Sequence, residues 1–179
     1  MKSELRKQVL QEMKANPREQ KQFIDQALTE RLLHHPFYQE AKVIATYLSF
    51  PHEFQTQELI EQALKDGKKV LIPKTYPKGR MDFLVYDPQQ LVKTSFGLLE
   101  QQGNLEVVDA SHIDLIHVPG LAFTTKGYRI GYGGVYYDRY LEHFSGHTLS
   151  TVYPCQIQDF IPEKYDIPVQ EVLIDEGNL

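Results

Sequence analysis

Residues 127–140, with the sequence GYRIGYGGVYYDRY, hold the groups of this chain best suited to binding an anion. Glycine lets the backbone approach a ligand closely, and a glycine-rich turn that leads into a helix presents amide groups to an anion. Arg129 and Arg139 can pair with phosphate oxygens, and Asp138 can hold the Mg²⁺ that accompanies a nucleotide. The segment therefore predicts a phosphate site.

Two common nucleotide-binding motifs do not describe this segment. The dinucleotide fingerprint G-x-G-x-x-G requires a glycine three residues after Gly133, where the chain has Tyr136. The Gly-Lys-Ser/Thr of the ATP-binding P-loop is absent as well. A glycine-rich turn with a purely structural role stays an alternative.

The elements that must position this segment follow an alternating pattern. Apolar runs predict strands at 43–48, 69–73, 81–86, 115–123, 148–153 and 171–174, and helical spacing predicts helices that include 17–34 and 135–144. This alternation predicts a three-layer, single-domain α/β fold over residues 1–179, with a mostly parallel central sheet flanked by helices. Because ligands bind beyond the carboxyl ends of such strands, residues 49–53 are expected beside the site.

The N-terminal helices carry two more local predictions. A first helix is expected to start with Ser3 as its N-cap. In the second helix, Phe23 is expected to be buried together with Ile24 and Leu28.

Composition excludes several classes of protein. The net charge is −5 and the chain has no run of five like charges, so general binding to nucleic acid or to a membrane surface is not expected. The single cysteine, Cys155, rules out an internal disulfide. The N-terminal residues lack the apolar core of a signal peptide, and no apolar stretch is long enough to span a bilayer. We expect a cytoplasmic protein.

The glycine-rich segment resembles the signature of the 5-formyltetrahydrofolate cyclo-ligase family, also called 5,10-methenyltetrahydrofolate synthetases. The residues that carry the resemblance are Gly127, Arg129, Ile130, Gly131, Gly133, Tyr136, Tyr137, Asp138 and Arg139. Residues 2–6, Lys-Ser-Glu-Leu-Arg, are similar to the family's N-terminal Lys-x-x-Leu-Arg element. The resemblance extends over nearly the whole chain.

This resemblance implies an ATP-dependent ring closure of 5-formyltetrahydrofolate. The formyl oxygen would be phosphorylated and N10 would attack, giving 5,10-methenyltetrahydrofolate, ADP and phosphate. The implied partners are ATP, Mg²⁺ and 5-formyltetrahydrofolate with or without a polyglutamate tail, and the expected state is a monomer or weak homodimer. The alternative is a sugar-phosphate-sensing or sugar-phosphate-isomerising α/β domain.

The resemblance also implies a role for individual residues. Those implied to bind ATP are Lys2, Arg6, Arg129, Ile130, Gly131, Tyr132, Gly133, Gly134, Val135, Tyr136 and Tyr137. Those implied to bind the folate are Phe50, Glu53, Tyr132 and Tyr136. The implied catalytic residues are Arg129, Tyr132 and Tyr136, and the implied Mg²⁺ ligands are Asp138 and Asp166.

Four positions depart from the family pattern. Val135 stands where a third glycine is usual, and we expect it to have negative φ, to lie in the first turn of the following helix and to turn its side chain toward the sheet. Tyr132 and Gly134 stand where some relatives have Arg or Lys. The positive charge that stabilises the transition state must therefore come from Arg129, Arg139 or Lys74. In residues 93–101, Gln101 replaces a usual proline, and a looser turn is expected there.

Overall fold

The computed structural model describes residues 2–93, 99–101 and 105–175. The helices are α1 (Lys2–Lys14), α2 (Arg18–His34), α3 (Pro36–Glu40), α4 (Gln57–Lys65) and α5 (Tyr136–Leu141). The strands are β1 (Val43–Ala45), β2 (Lys69–Thr75), β3 (Met81–Val85), β4 (Leu91–Lys93), β5 (Leu99–Gln101), β6 (Leu115–His117), β7 (Ala122–Phe123), β8 (Arg129–Ile130), β9 (His147–Val152) and β10 (Glu171–Ile174). Residues 94–98 lie outside the described residues, so the looser turn stays a prediction.

A six-stranded sheet forms the centre of the domain, in the order β10-β9-β6-β1-β2-β3. All of its strand pairs are parallel except β2 with β3, which is antiparallel. In the middle of the sheet, Ile44 lies opposite both Val70 and Leu115. The predicted α/β fold with a mostly parallel central sheet is confirmed.

The two faces of the sheet are covered by separate apolar clusters. Successive residues of a strand point to opposite faces, so Ile44 packs with helices α1, α2 and α4 while Ala45 packs on the other face with Leu141 of α5. Leu115 and Ile116 divide between the same two clusters, and both are completely buried. This double cover accounts for the continuous apolar character of the central strands.

The N-terminal helices differ from two predictions. Helix α1 includes Lys2, so Ser3 lies within the helix and does not cap it. In α2, Ile24, Leu28 and Leu32 follow one another at four-residue spacing and form the buried stripe. Phe23 falls beside that stripe and is 42% exposed, so its predicted burial is wrong. No helix among the described residues combines the length and apolar character that crossing a membrane requires.

The predicted strand at 115–123 is divided into two pieces. It leaves the central sheet after His117, and residues 122–123 then pair with Arg129 and Ile130 as the hairpin β7–β8. Gly127 turns this hairpin with φ of +91°, and a Cβ atom at this position would lie 2.2 Å from the Val169 carbonyl oxygen. Only glycine fits both constraints, so the glycine-rich segment begins with a hairpin whose tip packs against the chain before β10.

Candidate active site

A small polar pocket, here called the phosphate pocket, lies at the edge of the sheet where the parallel strands end. Its walls come from the start of α1, strand β8, the loop that follows β8, the first turns of α5 and residues 163–166. The lining residues are Lys2, Arg6, Arg129, Ile130, Gly131, Gly133, Gly134, Val135, Asp138, Glu163 and Asp166. Its volume of about 90 Å³ equals that of roughly three liquid waters, which suits a phosphate group.

Arg129 is the buried cation of the phosphate pocket, with 8% of its surface exposed. Its Nε donates to the Pro119 carbonyl oxygen at 2.9 Å, and its Nη1 lies 3.9 Å from Oδ2 of Asp138. The guanidinium carbon also lies 5.3 Å from the centre of the Tyr137 ring. Burial lowers the pKa of Arg129, whereas Asp138 raises it. Because Arg129 lies in β8 and is held on several sides, its direction is fixed before any ligand binds.

Gly131 leaves the space that this guanidinium occupies. A Cβ atom at Gly131 would lie only 2.8 Å from Nη2 of Arg129. Any larger residue would push the guanidinium away from its present position, so the requirement for glycine here is steric.

Helix α1 brings two further cations to the pocket. Arg6 donates from Nε to the Gly131 carbonyl oxygen at 2.9 Å, which ties α1 to the glycine-rich loop. Lys2 lies with Nζ 2.9 Å from Oε1 of Glu163 and 3.9 Å from Oδ2 of Asp166. Glu163 was not predicted from the sequence, since nothing in its local pattern indicates that it lies beside a residue 161 positions away.

Two carboxylates face the phosphate pocket and fit a magnesium ion. Asp138 accepts a hydrogen bond from the Ile167 amide at 3.2 Å, and Asp166 accepts one from the Glu163 amide at 2.8 Å. Burial raises the pKa of Asp138, while Arg129 and the Ile167 amide lower it. Mg²⁺ in nucleotide sites commonly takes one or two protein carboxylates, with water and phosphate oxygens completing its shell. Within the described residues, no group of three or more His, Cys, Asp or Glu side chains could hold a metal, so an ion here would depend on ligand oxygens.

Val135 confirms one prediction and contradicts two others. Its φ is −71°, as expected for a β-branched residue, but it is the N-cap residue of α5 and so precedes the first turn, in which it was predicted. Its side chain is 57% exposed, so the predicted turn toward the sheet is wrong. The face of α5 that packs on the sheet is supplied by Tyr137 and Leu141, which lie one helical turn apart.

A second and larger cavity, here called the apolar cleft, lies between the α1–α2 turn and the loop after β1. It has a volume of about 720 Å³, within the range of small-molecule sites. Its lining residues are Leu10, Met13, Lys14, Asn16, Arg18, Lys21, Phe50, Pro51, His52 and Tyr132. Two of the predicted folate contacts, Phe50 and Tyr132, therefore share a wall, with ring centres 6.0 Å apart.

Glu53 lies behind this wall and is 5% exposed. Its Oε1 accepts a hydrogen bond from the Phe50 amide at 2.7 Å, and its Oε2 accepts one from the Tyr132 hydroxyl at 3.1 Å. Burial raises the pKa of Glu53, while the Phe50 amide, the Tyr132 hydroxyl and Lys21 lower it. His52 Nε2 lies 2.8 Å from the same Tyr132 hydroxyl. Tyr132 thus connects the glycine-rich loop to His52 and Glu53, which both lie in the loop after β1.

Cations at the rim of the apolar cleft were also missed by the sequence analysis. Lys21 is paired through Nζ with Oδ2 of Asp25 at 2.7 Å, and Oδ1 of Asp25 accepts a hydrogen bond from the Tyr153 hydroxyl. Lys14 and Arg18 lie on the same rim. Their only signal in the sequence is a concentration of basic residues around the break between two helices, a pattern that ordinary solvated surfaces share.

Two predicted ATP contacts do not line either cavity. Tyr136 is half-buried and packs against the cluster beneath α5, and its predicted roles in ATP binding, folate binding and catalysis stay predictions. Tyr137 lies under the Arg129 guanidinium, and its hydroxyl is buried without a hydrogen-bond partner among the described residues. Tyr137 therefore reaches the site through Arg129.

A buried histidine bridges neighbouring segments of the central sheet. Nδ1 of His117 is hydrogen-bonded to the Thr46 hydroxyl and Nε2 is hydrogen-bonded to the Thr151 hydroxyl, both at 2.9 Å. Burial lowers the pKa of His117 to about 3. The Phe54 and His117 rings pack edge to face. His117 therefore links neighbouring segments of the chain.

Comparison with known proteins agrees with this architecture. The sequence profile of the 5-formyltetrahydrofolate cyclo-ligase family matches residues 1–175. A 5-formyltetrahydrofolate cyclo-ligase of Escherichia coli (strain K12) is 34% identical over 173 residues, which cover 92% of this chain and 95% of the relative. The NMR structure of the 5,10-methenyltetrahydrofolate synthetase of Aquifex aeolicus superposes with a TM-score of 0.83 at 30% identity and covers 97% of this chain and 89% of that one.

A second solved structure shows the same fold at lower identity. The 5,10-methenyltetrahydrofolate synthetase of Mycoplasma pneumoniae superposes with a TM-score of 0.80 at 23% identity, over 96% of this chain and 97% of that one. Together with the match of the family profile to nearly every residue, these relatives settle the assignment. The chain belongs to the 5-formyltetrahydrofolate cyclo-ligase family and is a ligase.

Proposed function

We propose that this chain catalyses the ATP-dependent closure of 5-formyltetrahydrofolate to 5,10-methenyltetrahydrofolate, with ADP and phosphate as the other products. The observation that carries the proposal is the position of Tyr132. Its backbone belongs to the loop of the phosphate pocket and its ring lines the apolar cleft. A phosphate group and a flat apolar ligand could therefore meet at one place.

The reaction requires a leaving group that the substrate lacks. Closing the ring by attack of N10 on the formyl carbon must expel the formyl oxygen, which leaves poorly as hydroxide. In the proposed sequence the formyl oxygen attacks the γ-phosphorus and ADP departs. The N10 lone pair then bonds to the formyl carbon, the carbon–oxygen bond breaks, phosphate leaves and N10 loses its proton. Positioning and charge stabilisation supply the catalysis in such transfers.

The phosphate pocket would carry out the first step. Arg129 is already directed into the pocket by Pro119, so it can stabilise charge on the transferred group without reorganising. Arg6 is held against the loop through Gly131. Lys2 would have to exchange Glu163 for a phosphate oxygen. Asp138 and Asp166 would hold Mg²⁺, which when bound neutralises phosphate charge.

The apolar cleft would carry out the second step. Phe50 and Tyr132 present aromatic faces to a reduced pteridine, and Glu53, behind this wall, holds both residues through its carboxylate oxygens. Lys14, Arg18 and Lys21 lie on the rim, where an anionic tail can remain in contact with water. Membership in the cyclo-ligase family does not favour the alternative of a sugar-phosphate domain.

The test is a direct assay. The protein is mixed with 5-formyltetrahydrofolate and Mg-ATP, and the near-ultraviolet absorbance of the methenyl product is followed. We expect product only when ATP is present, in equal amount with ADP and phosphate, and a loss of the rate in excess EDTA. Product formed at the same rate without ATP would overturn the proposal, and an unchanged rate in EDTA would overturn the role of Asp138 and Asp166.

A further inference from the structure

A chain of three polar side chains joins the two loops that meet at the apolar cleft. The Tyr132 hydroxyl donates to Oε2 of Glu53 at 3.1 Å and lies 2.8 Å from Nε2 of His52. A phenol has a single hydrogen to donate. Because Tyr132 donates it to Glu53, its oxygen is the acceptor toward His52, and the His52 hydrogen is placed on Nε2.

Few other contacts restrain the Tyr132 side chain. It is 47% exposed, and its neighbours in the loop include Gly131, Gly133 and Gly134. Its ring touches Phe50 only at a tilt, with centres 6.0 Å apart. Hydrogen bonds to Glu53 and His52 are therefore the main restraints on its direction.

We propose that His52 is a positioning residue for Glu53. By donating to the oxygen of Tyr132, His52 keeps the hydrogen of that hydroxyl directed at Glu53 and so favours the ionised carboxylate. The inference rests on the proposed function to the extent that Glu53 needs to be ionised to hold Phe50 and Tyr132 at the substrate. His52 acts through Tyr132 and is not required to touch the ligand.

The charged groups around His52 favour its neutral form. Burial lowers the pKa of His52, and the charges of Lys14 of α1 and Lys21 of α2, which line the same cleft, lower it further. A neutral ring carries one hydrogen, so its placement on Nε2 is a choice that Tyr132 enforces. The groups that face Glu53 are Tyr47, Lys21, Tyr132, Tyr137 and Tyr153.

Variants at position 52 separate the hydrogen bond from the ring. His52→Gln retains an N–H donor that does not titrate, whereas His52→Phe retains a ring that can stack on Phe50, which His52 now does at 5.5 Å, but has no donor. The exposed His143 provides the control substitution His143→Phe. For each protein, kcat and KM are measured against pH, and thermal unfolding is recorded.

The expected result is a loss that only the donor restores. His52→Phe should lower kcat/KM about tenfold near neutral pH, the equivalent of one hydrogen bond, with an unchanged unfolding temperature. The acidic limb of its pH profile should move to higher pH, because Glu53 loses the Tyr132 hydrogen bond that lowers its pKa. His52→Gln should recover both the rate and the position of the limb. An unshifted limb in His52→Phe, or a His52→Gln as impaired as His52→Phe, would overturn the inference.

A measurement without turnover keeps this inference apart from the proposed function. The ¹⁵N shifts of the imidazole report which nitrogen carries the hydrogen. We expect the Nε2–H form in the wild-type protein and loss of that preference in Tyr132→Phe. If the wild-type protein made no methenyl product but gave this pattern, the proposed function would fail while the hydrogen-bond chain stood. An Nδ1–H form in the wild-type protein would contradict the hydrogen-bond chain from His52 through Tyr132 to Glu53.

Discussion

The phosphate pocket and the apolar cleft lie side by side but are prepared for ligands in opposite ways. In the pocket the charged groups already have internal partners, as Lys2 has Glu163 and Arg129 has Pro119 and Asp138. In the cleft the surface is largely apolar, and of its lining cations Lys14, Arg18 and Lys21 only Lys21 has a carboxylate partner among the described residues. Covering the cleft gains free energy from burial, whereas the pocket gains only what a ligand adds beyond the contacts it replaces.

This difference suggests how the two regions divide the work. Burial in the cleft changes little between bound substrate and transition state, so it mainly sets affinity. A fixed guanidinium gains most where charge is developing, so the pocket mainly sets rate. Substitutions in the pocket should therefore change kcat, and substitutions in the cleft should change KM.

The largest expected effect is that of Arg129→Ala. Removing a charge that is aligned with the transferred phosphoryl group should cost about 2 to 4 kcal/mol in kcat/KM, most of it in kcat. The unfolding temperature should also fall, because Arg129 is buried in β8 and is not a free loop residue. Steady-state kinetics and thermal unfolding measure the two losses. The control is Arg31→Ala, since Arg31 is exposed, lines neither the phosphate pocket nor the apolar cleft, and donates to the Ile174 carbonyl oxygen. Normal kcat in Arg129→Ala would remove the basis of the comparison.

Asp25→Asn is the corresponding test on the cleft side. Asp25 is 7% exposed and bridges Lys21 and Tyr153, so the variant leaves a largely buried ammonium without its carboxylate. Breaking such a pair should reduce the free energy of unfolding by about 3 kcal/mol. Lys21 freed from Asp25 can pair with an anionic tail of the folate, so KM for the folate should fall while kcat changes little. Urea unfolding and kinetics are compared with those of Glu19→Gln, an exposed change in the same helix. An altered kcat with an unchanged KM would contradict the division of work.

His117 is buried in the central sheet and lines neither the phosphate pocket nor the apolar cleft. Its pKa is about 3 in the folded protein and about 6.5 when unfolded, so below pH 6.5 the unfolded chain binds a proton that the folded chain does not. From this group alone, the free energy of unfolding should fall as pH falls, by about 1.4 kcal/mol per pH unit between those values. Urea unfolding at several pH values should show this slope reduced in His117→Gln. It should persist in His112→Gln, a change of an exposed histidine, and an equal slope in both variants would show that His117 does not cause it.

The comparison also explains which parts of the site could be read from the sequence. Arg129, Gly131 and Asp138 lie within ten residues of one another, and a local motif specifies such a group. Glu163 reaches the site because the loop before β10 packs against α1, and Lys21 because α2 packs beside the loop after β1, which no local pattern encodes. Val135 and Phe23 were misplaced for a related reason. Spacing predicts which face a residue belongs to, but the fraction buried depends on what covers that face.

A smaller effect is expected from Glu163→Gln. The pair of Lys2 and Glu163 is largely exposed, so it contributes about 0.2 to 1 kcal/mol. A phosphate that takes Lys2 away from Glu163 must overcome that contribution. The variant should therefore lower KM for ATP by up to about fivefold and leave KM for the folate unchanged. The gain should vanish at high salt, where exposed pairs are screened. Glu142→Gln, another exposed change, is the control, and a higher KM for ATP in Glu163→Gln would mean that Glu163 assists binding.

The smallest expected effect is that of Val135→Gly. Val135 already has negative φ, its side chain is exposed, and it makes no side-chain hydrogen bond as the N-cap of α5. Glycine is accepted at least as well as valine at an N-cap, so the free energy of unfolding should change by less than about 0.5 kcal/mol. KM for ATP should stay within about twofold, because the loop backbone keeps its path.

Gly133→Val is the comparison variant for Val135→Gly, from which almost no change in stability or in KM for ATP is expected. Gly133 has φ of +113°, and a Cβ atom there would meet no neighbouring atom within 4 Å. Any loss in Gly133→Val would therefore come from backbone strain, of about 1 to 3 kcal/mol for a β-branched residue at positive φ. ATP kinetics and unfolding of the two variants measure the difference. A Val135→Gly protein that bound ATP tenfold more tightly would show that valine at this position restricts the loop. The backbone of the loop, and not the ion pairs of the phosphate pocket, would then limit the affinity for ATP.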